Sequence, residues 1–313
     1  MGMDVFMRVS AIEIGTNSTK FIIAQLNEKG AVEVITRTST VNRLSSGMYP
    51  ENNLKPEAIE KGIEIIGNLI NENNAQGAQL VSIFSTSVLR DAGNKEAFIG
   101  RIKELFGIDI NVISGEEEAQ LAYMACREVV DDKSQKFSVI DIGGGSTEII
   151  IGNGTDIEQK ISLNVGAVRL TEMFVSHDPV EDSEIEQMTA YIENQIIARE
   201  SLDLRGLQLV GTGGTIKTLG TLFYQKDHTK EKTINGKVIK KYEIELLFSM
   251  LKLLNIDSKK KLIGLNPKRA DVITSGIRIL LSVMNKFSLE EIKISSQGVL
   301  EGFIAQYLQT KRE

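Results

Sequence analysis

"AIEIGTNSTKFII" (residues 11–23) and "SVIDIGGGSTEIII" (residues 138–151) are the stretches on which the fold turns. In the first, an apolar strand carries a carboxylate, Glu13, at its centre and then breaks into Gly-Thr-Asn-Ser-Thr. A buried strand excludes a charge that is neither paired nor bound to a cation, because removing a carboxylate from water is costly. The second stretch repeats the anomaly at a constant offset of 128, with Glu13 falling on Asp141, Gly15 on Gly143, Ser18 on Ser146 and Thr19 on Thr147. Ser10, Ile12, Ile22 and Ile23 recur as Ser138, Ile140, Ile150 and Ile151. Repeats of ~20–50 residues would indicate a solenoid. One repeat at this distance indicates two related domains, each with an acidic-strand hairpin.

The hairpin has a readable logic. A glycine-rich turn lets backbone N–H groups converge on an anion, because no Cβ blocks close approach. Ser and Thr hydroxyls add donors, and the strand carboxylate faces the same turn. A carboxylate beside an anion site makes sense with a cation between them, and Mg²⁺ commonly fills that place with phosphates. Two such turns facing each other would clamp a phosphate chain across a cleft.

Outward from the repeat, the pattern predicts strands at 8–14, 19–26, 31–40, 80–86 and 110–114, with helices at 56–71, 95–106 and about 115–129. The second half predicts strands at 137–142, 147–152 and 157–163, helices at 166–175 and 183–200, and a strand, glycine turn and helix over 207–220. "TINGKVI" (233–239) predicts a hairpin through Asn235-Gly236. Helices at 243–255, 269–286 and 297–310 and a strand at 291–295 complete an α/β chain mixing hairpins with crossovers.

The chain has 313 residues, 42% hydrophobic and 25% charged, which suits two soluble domains of ~100–200 residues each. The net charge of −6 argues against a broad nucleic-acid surface. No apolar run approaches the ~18 residues of a membrane span, and the opening residues lack a signal-peptide core. Cys126 is the one cysteine, so there is neither a disulfide framework nor a Cys-based metal site, and a cytoplasmic protein is expected. His177 and His228 stand apart without ligand-like spacing. The lysine-rich segment 226–241 reads first as a solvated surface.

In "SGEEEA" (114–119) the adjacent glutamates cannot all face one side of a helix at about 100° per residue. Ser114 and Glu117 match a capping box, which gives Glu117 a structural task and leaves Glu116 or Glu118 for chemistry. An acidic helix start that complements the dipole suits Glu116.

Beyond these local readings, "VGTGGTIKTL" (210–219) is similar to the adenosine-side motif of the actin, sugar-kinase and chaperone ATPase superfamily. "EIGTNS", "RLSSG" (43–47), "STSVLRDAGN" (85–94), "ISGEEEA", "DIGGGSTE" (141–148), "SLNVGAVRLTE" (162–172), "GTGGTIKTL" and "RADVI" (269–273) follow the order seen in exopolyphosphatase/guanosine pentaphosphate phosphatases. The chain therefore resembles the Ppx/GppA family over nearly its whole length, in its short two-domain form. A dinucleotide-binding reading of "GTGG" fails, because Ile216 stands where the third glycine belongs.

The resemblance implies two ribonuclease H-like (actin-like ATPase) domains around a cleft, spanning 1–125 and 126–313, with the final helix, about 300–313, left free to pack back on the first. It implies hydrolysis of terminal phosphoanhydride bonds in inorganic polyphosphate, guanosine pentaphosphate or both, with Mg²⁺ as cofactor and a homodimer as a possible assembly. It places the catalytic glutamate immediately before the alanine, hence Glu118 as general base. Glu13, Asp141 and Glu148 become the metal-side carboxylates. Gly15, Thr16, Asn17 and Ser18 in one turn, and Gly143, Gly144, Gly145, Ser146 and Thr147 in the other, become phosphate cradles. Gly213, Gly214, Thr215, Arg90 and Arg269 join them as phosphate-binding residues, because phosphoryl transfer needs cations and donors more than covalent chemistry. For Arg269 the plain alternative is an ion pair to a nearby carboxylate. In this family the lysine-rich segment could guide a polyanion.

Two positions depart from the pattern. Glu13 stands where the family has Asp, and Leu300 where relatives commonly carry Arg. Competing functions within the superfamily are a phosphotransferase, which would need an acceptor site, and a nucleotide-dependent regulatory or assembly protein.

Overall fold

The computed structural model describes residues 8–28, 30–199 and 201–311. The chain divides into two compact units, Met1–Leu121 with Val299–Glu313, and Ala122–Gly298.

In the first unit, β1 (Val9–Ile14), β2 (Ser18–Leu26) and β3 (Val32–Val41) form an antiparallel meander. Helix α1 (Pro56–Ala75) starts on a proline, whose missing N–H is harmless in a first turn, and buries Ile59, Ile63, Ile66 and Leu69 along one stripe. It carries the chain across to β4 (Gln79–Ser85), which lies parallel to β1. After α2 (Ser87–Asp91) and α3 (Lys95–Phe106), β5 (Ile110–Val112) adds a second parallel pairing, and α4 (Gly115–Cys126) follows. The sheet order is β3-β2-β1-β4-β5.

The second unit repeats this plan. Strands β6 (Lys136–Ile142), β7 (Thr147–Asn153) and β8 (Asp156–Leu163) form the meander. Helices α5 (Ala167–Phe174) and α6 (Asp182–Ile197) lead to β9 (Gln208–Thr212), parallel to β6, and on to α7 (Gly213–Phe223). Strand β10 (Val238–Lys240), α8 (Lys241–Lys252), α9 (Ile256–Lys259), α10 (Ile273–Lys286) and β11 (Glu291–Ile294) complete the unit. The last helix, α11 (Val299–Thr310), packs on β1 and β2 of the first unit. Read from its hairpin end, the second sheet runs β8-β7-β6-β9-β11, the first sheet's order with β10 added at the edge. β1 and β6 are buried on both faces, so their sequences are near-continuous apolar runs, and an acid within them needs a specific partner.

The structure corrects several expectations. No hairpin forms through Asn235-Gly236: residues Glu231–Ile234 make a 3₁₀ turn, and β10 pairs antiparallel with the distant β11. Asn-Gly still supplies a left-handed bend, at Gly236, but the buried Ile234 and Ile239 draw the segment onto the core. The expected 269–286 helix begins only at Ile273, after a 3₁₀ turn at Pro267–Arg269. Helix α4 gives way at Arg127–Val129 to another 3₁₀ turn. A short helix, α2, lies within "STSVLRD", where the sequence pattern predicts no element. The two compact units meet along the chain inside α4, at Leu121/Ala122, and α11 lies with the first unit. The expected helix end at Glu200 lies outside the described residues, as do parts of the expected termini.

Candidate active site

In the first unit the β1–β2 turn is closed by Gly15 N–H donating to Ser18 O at 3.0 Å. A Cβ on Gly15 would meet that same oxygen at 2.9 Å, so the turn selects glycine. The 43–47 loop then takes up the turn's carbonyls. Asn42 and Arg43 N–H donate to Asn17 O at 3.1 and 3.2 Å, and Ser45 donates to Thr16 O from N–H and hydroxyl. Thr16 Oγ1 lies 2.9 Å from Ser87 Oγ, which ties the turn to α2. Thr16, Asn17 and Ser18 are buried, and the Asn17 Nδ2 has no hydrogen-bond partner among the described residues.

The second unit makes the same closure 128 residues on, with Gly143 N–H to Ser146 O at 3.0 Å. Here the start of α5 takes the carbonyls. Ala167 N–H donates to Gly143 O at 3.0 Å, and Val168 and Arg169 N–H donate to Gly144 O at 2.8 and 3.0 Å. Arg169 Nε donates to Gly145 O at 2.8 Å. Because each peptide unit is planar and trans, engaging these carbonyls turns the following N–H groups, of Gly144, Gly145 and Ser146, to the other side. Converging N–H groups are the backbone arrangement that an anion cradle needs, and the buried Ser146 hydroxyl, without a hydrogen-bond partner among the described residues, lies in the same turn. Thr147 Oγ1 donates to Val165 O at 2.6 Å instead. Gly166 and Arg169 were not picked out from the sequence as site residues. The signal was the glycine of "NVGAVR", where a Cβ would overlap the Gly144 and Gly145 backbone.

The acids differ between the units. Glu13 faces Lys20 across β1 and β2, and Lys20 Nζ donates to Glu13 Oε1 at 2.6 Å. At the matching positions Asp141 faces Glu148, both buried. Glu148 Oε1 accepts from Ser162 Oγ at 2.7 Å. Two like charges opposite one another repel, and a divalent cation resolves that conflict. The facing carboxylate oxygens of Asp141 and Glu148 are a donor set that suits a divalent cation such as Mg²⁺, whereas Glu13 Oε1 is met by Lys20 and its Oε2 is buried without a hydrogen-bond partner among the described residues. Among the described residues no three His, Cys, Asp or Glu side chains gather as a ready-made metal cluster.

Next to Asp141 lies the turn after β9. Gly213 has φ +91°, and a Cβ there would strike Asp141 Oδ1 and the Ile142 carbonyl. A Cβ on Gly214 would overlap the Arg269 guanidinium, and Thr215 packs on Gly276 of α10. Asp141, this turn and Arg269 are thus brought together within the second unit. Burial pulls the Arg269 guanidinium below its usual range, opposed by Glu231 and Asp271 nearby, so the plain ion-pairing alternative has its carboxylates at hand.

"SGEEEA" resolves cleanly. Ser114 N–H donates to Glu117 Oε2 at 2.7 Å and Glu117 N–H to Ser114 Oγ at 3.1 Å, a full capping box. Glu116 and Glu117 are exposed and Glu118 is buried. Arg90 Nη1 donates to Glu118 Oε2 at 3.1 Å and to Ile113 O at 3.2 Å.

Elsewhere, His177 Nδ1 lies 2.9 Å from Glu184 Oε1 at the start of α6. Of the lysine-rich segment, Lys237 stacks 4.3 Å over the Tyr224 ring. Leu300 is fully buried, and its neighbour Glu301 is paired with Arg37 Nε at 2.7 Å. No helix among the described residues is long and apolar enough to cross a membrane.

Known proteins share this layout. A bifunctional 3-dehydroquinate synthase/phosphatase of Fusobacterium nucleatum is 31% identical over 98% of this chain and 47% of its own length. A guanosine-5'-triphosphate,3'-diphosphate pyrophosphatase of Photobacterium profundum is 27% identical over 97% of this chain and 60% of its own. This chain thus spans about half to three-fifths of these relatives. The crystal structure of the Aquifex aeolicus Ppx/GppA family member matches with a TM-score of 0.80 at 29% identity, covering 98% of this chain and 99% of that one. The two mixed-sheet domains have the actin-like ATPase fold of that family. The family model for Ppx/GppA phosphatases matches residues 22–311, and the chain belongs to the Ppx/GppA phosphatase family.

Proposed function

We propose that this chain hydrolyses terminal phosphoanhydride bonds, releasing phosphate from inorganic polyphosphate, guanosine pentaphosphate or both, with Mg²⁺ as cofactor. The observation that carries the reading is Glu118, the buried member of its glutamate run, held by Arg90 at 3.1 Å. Glu118 accepts a proton from a water as the water oxygen bonds to the terminal phosphorus. The bridging oxygen leaves with its electron pair on the shortened chain, and the proton remains on Glu118. Arg90 fixes the base and offers positive charge to the phosphoryl oxygens. The turn N–H groups and the Ser146 hydroxyl hold phosphates, and Arg269 adds charge beside Gly214. Asp141 and Glu148 would hold Mg²⁺, which neutralises charge on the phosphate oxygens. A carboxylate base that activates water needs no acceptor site, so this reading is of hydrolysis and not of phosphotransfer.

The test is phosphate release by the purified chain with Mg²⁺ and long-chain polyphosphate, guanosine pentaphosphate or ATP. Release from at least one of the first two supports the proposal. No release from any of them, with ATP binding retained, overturns it in favour of a nucleotide-binding regulatory protein.

A further inference from the structure

Beyond the Gly213–Gly214 turn lies a group of charges that the mechanism above does not use. Lys217 follows Gly213 by four residues on α7. Helical side chains lean towards the N-terminus, so Lys217 reaches back along the face that begins at the turn. Its side chain is 7% exposed, and its Nζ lies 3.5 Å from Glu231 Oε2. The Arg269 guanidinium lies against Gly214 of the same turn. Burial pulls that guanidinium below its usual range, and of the two acids that oppose the effect Glu231 acts more strongly than Asp271. One carboxylate therefore serves two cations.

Glu231 stands out in its own segment, where Lys226, Lys230, Lys232 and Lys237 all carry the opposite sign. It opens the 3₁₀ turn Glu231–Ile234, and buried Ile234 fixes that turn to α7 by packing on Gly220. With 36% of its side chain exposed, Glu231 is what a ligand approaching Lys217 from solvent meets first. Its 3.5 Å separation from Lys217 exceeds the ~2.7–2.9 Å of a tight charge-assisted hydrogen bond, so this contact is a loose pin but an effective charge. Lys217 and Arg269 are balanced by Glu231 and Asp271. A phosphate arriving at Lys217 gains no net attraction and meets a like charge, whereas an uncharged N–H or O–H group finds an acceptor. Such a repulsive element discriminates between ligands as effectively as an attractive one. On the hydrolase reading above, we propose that Glu231 is a specificity-determining residue: it turns a further phosphate away from Lys217 and favours guanosine pentaphosphate, whose ribose hydroxyl and guanine N–H groups can donate to it, over inorganic polyphosphate.

Equilibrium dialysis with long-chain polyphosphate and with guanosine pentaphosphate tests it, in the Glu118→Gln background so that neither ligand is consumed. Glu231→Gln keeps the shape and removes the charge. It should tighten polyphosphate binding about tenfold and leave guanosine pentaphosphate unchanged or weaker, since relieving a like-charge contact acts only on a phosphate placed there. Glu231→Asp should keep most of the original preference. Lys217→Met added to Glu231→Gln should abolish the gain, because the cation that the phosphate would reach is gone. A purely structural pin would lower the Tm of Glu231→Gln and leave the ratio of the two dissociation constants unmoved, which overturns the proposal. So does equal tightening of both ligands, or a gain that survives Lys217→Met. Binding of neither ligand overturns the hydrolase reading together with the proposal, whereas binding of both with an unmoved ratio overturns the proposal alone.

Discussion

Glu13 and Lys20 face each other across β1 and β2 as a 2.6 Å ion pair, whereas their repeat counterparts, Asp141 and Glu148, face each other as two carboxylates. One exchange, lysine for glutamate, gives the first hairpin a cross-strand ion pair and the second two facing carboxylates. Glu148→Lys, which recreates the first unit's pair in the second, should therefore fold well and lose Mg²⁺ stimulation. Lys20→Met should do the opposite, leaving Glu13 buried and unpaired at about 1–3 kcal/mol of stability. Urea unfolding and Mg²⁺ titration of phosphate release read both, and an undiminished Mg²⁺ response in Glu148→Lys would contradict the assignment.

Arg90 holds Glu118 by a hydrogen bond of 3.1 Å, and the proposed function makes Glu118 the base. Arg90→Ala should lower kcat by about 10²-fold or more, since the base loses its tether and the phosphoryl group a cation. Arg90→Lys should recover only part, because an ammonium that takes the place of Nη1 at Glu118 and the Ile113 carbonyl lacks the further guanidinium nitrogens that would face a phosphoryl group. Steady-state kinetics with unchanged kcat in Arg90→Ala would remove it from the machinery.

Glycines separate by what surrounds them. Gly166→Ala drives a Cβ into the Gly144 and Gly145 backbone and should cost roughly 1–3 kcal/mol and misplace the cradle. Gly100→Ala, in α3 with nothing within 4 Å, should stabilise by roughly 0.4–1 kcal/mol. Thermal unfolding of both compares them, and equal effects would refute the packing account.

Acid sensitivity has a local source. Burial pushes the Glu184 carboxyl up, but hydrogen bonds from Glu181 and Ser176 N–H, the Ser176 hydroxyl and His177 outweigh it and hold it at about 2. A depressed carboxylate contributes stability that is present above its ordinary range near 4.5 and lost as pH falls towards about 2. His177 is raised above 6.5 by its Glu184 hydrogen bond and by Glu181, so its share is present below 6.5 and lost as pH rises past its folded value. Glu184→Gln should flatten both limbs of stability against pH, and unchanged limbs would place the sensitivity elsewhere.

The repeat, the two sheets and the capping box were legible because each is local or periodic: strand burial, turn glycines and the Ser114–Glu117 spacing act over a few residues. The false hairpin at Asn235-Gly236 shows the limit, since the turn chemistry was right but the partner, β11, was set by burial of Ile234 and Ile239. The Glu13–Lys20 pair was missed for a related reason. Only the strand register, which sequence does not print, sets Lys20 opposite the acid. Arg169 escaped because its task, holding the Gly145 carbonyl, depends on a helix that returns to the turn.

Phosphate release by Glu118→Gln, set beside Glu117→Gln and the unaltered chain, tests the central claim most directly. The account predicts that Glu118→Gln loses about 10²–10⁴-fold in turnover while binding substrate normally. Glu117→Gln should keep its turnover and lose only about 0.5–1 kcal/mol of helix-start stability. Turnover retained by Glu118→Gln and lost by Glu117→Gln would contradict it.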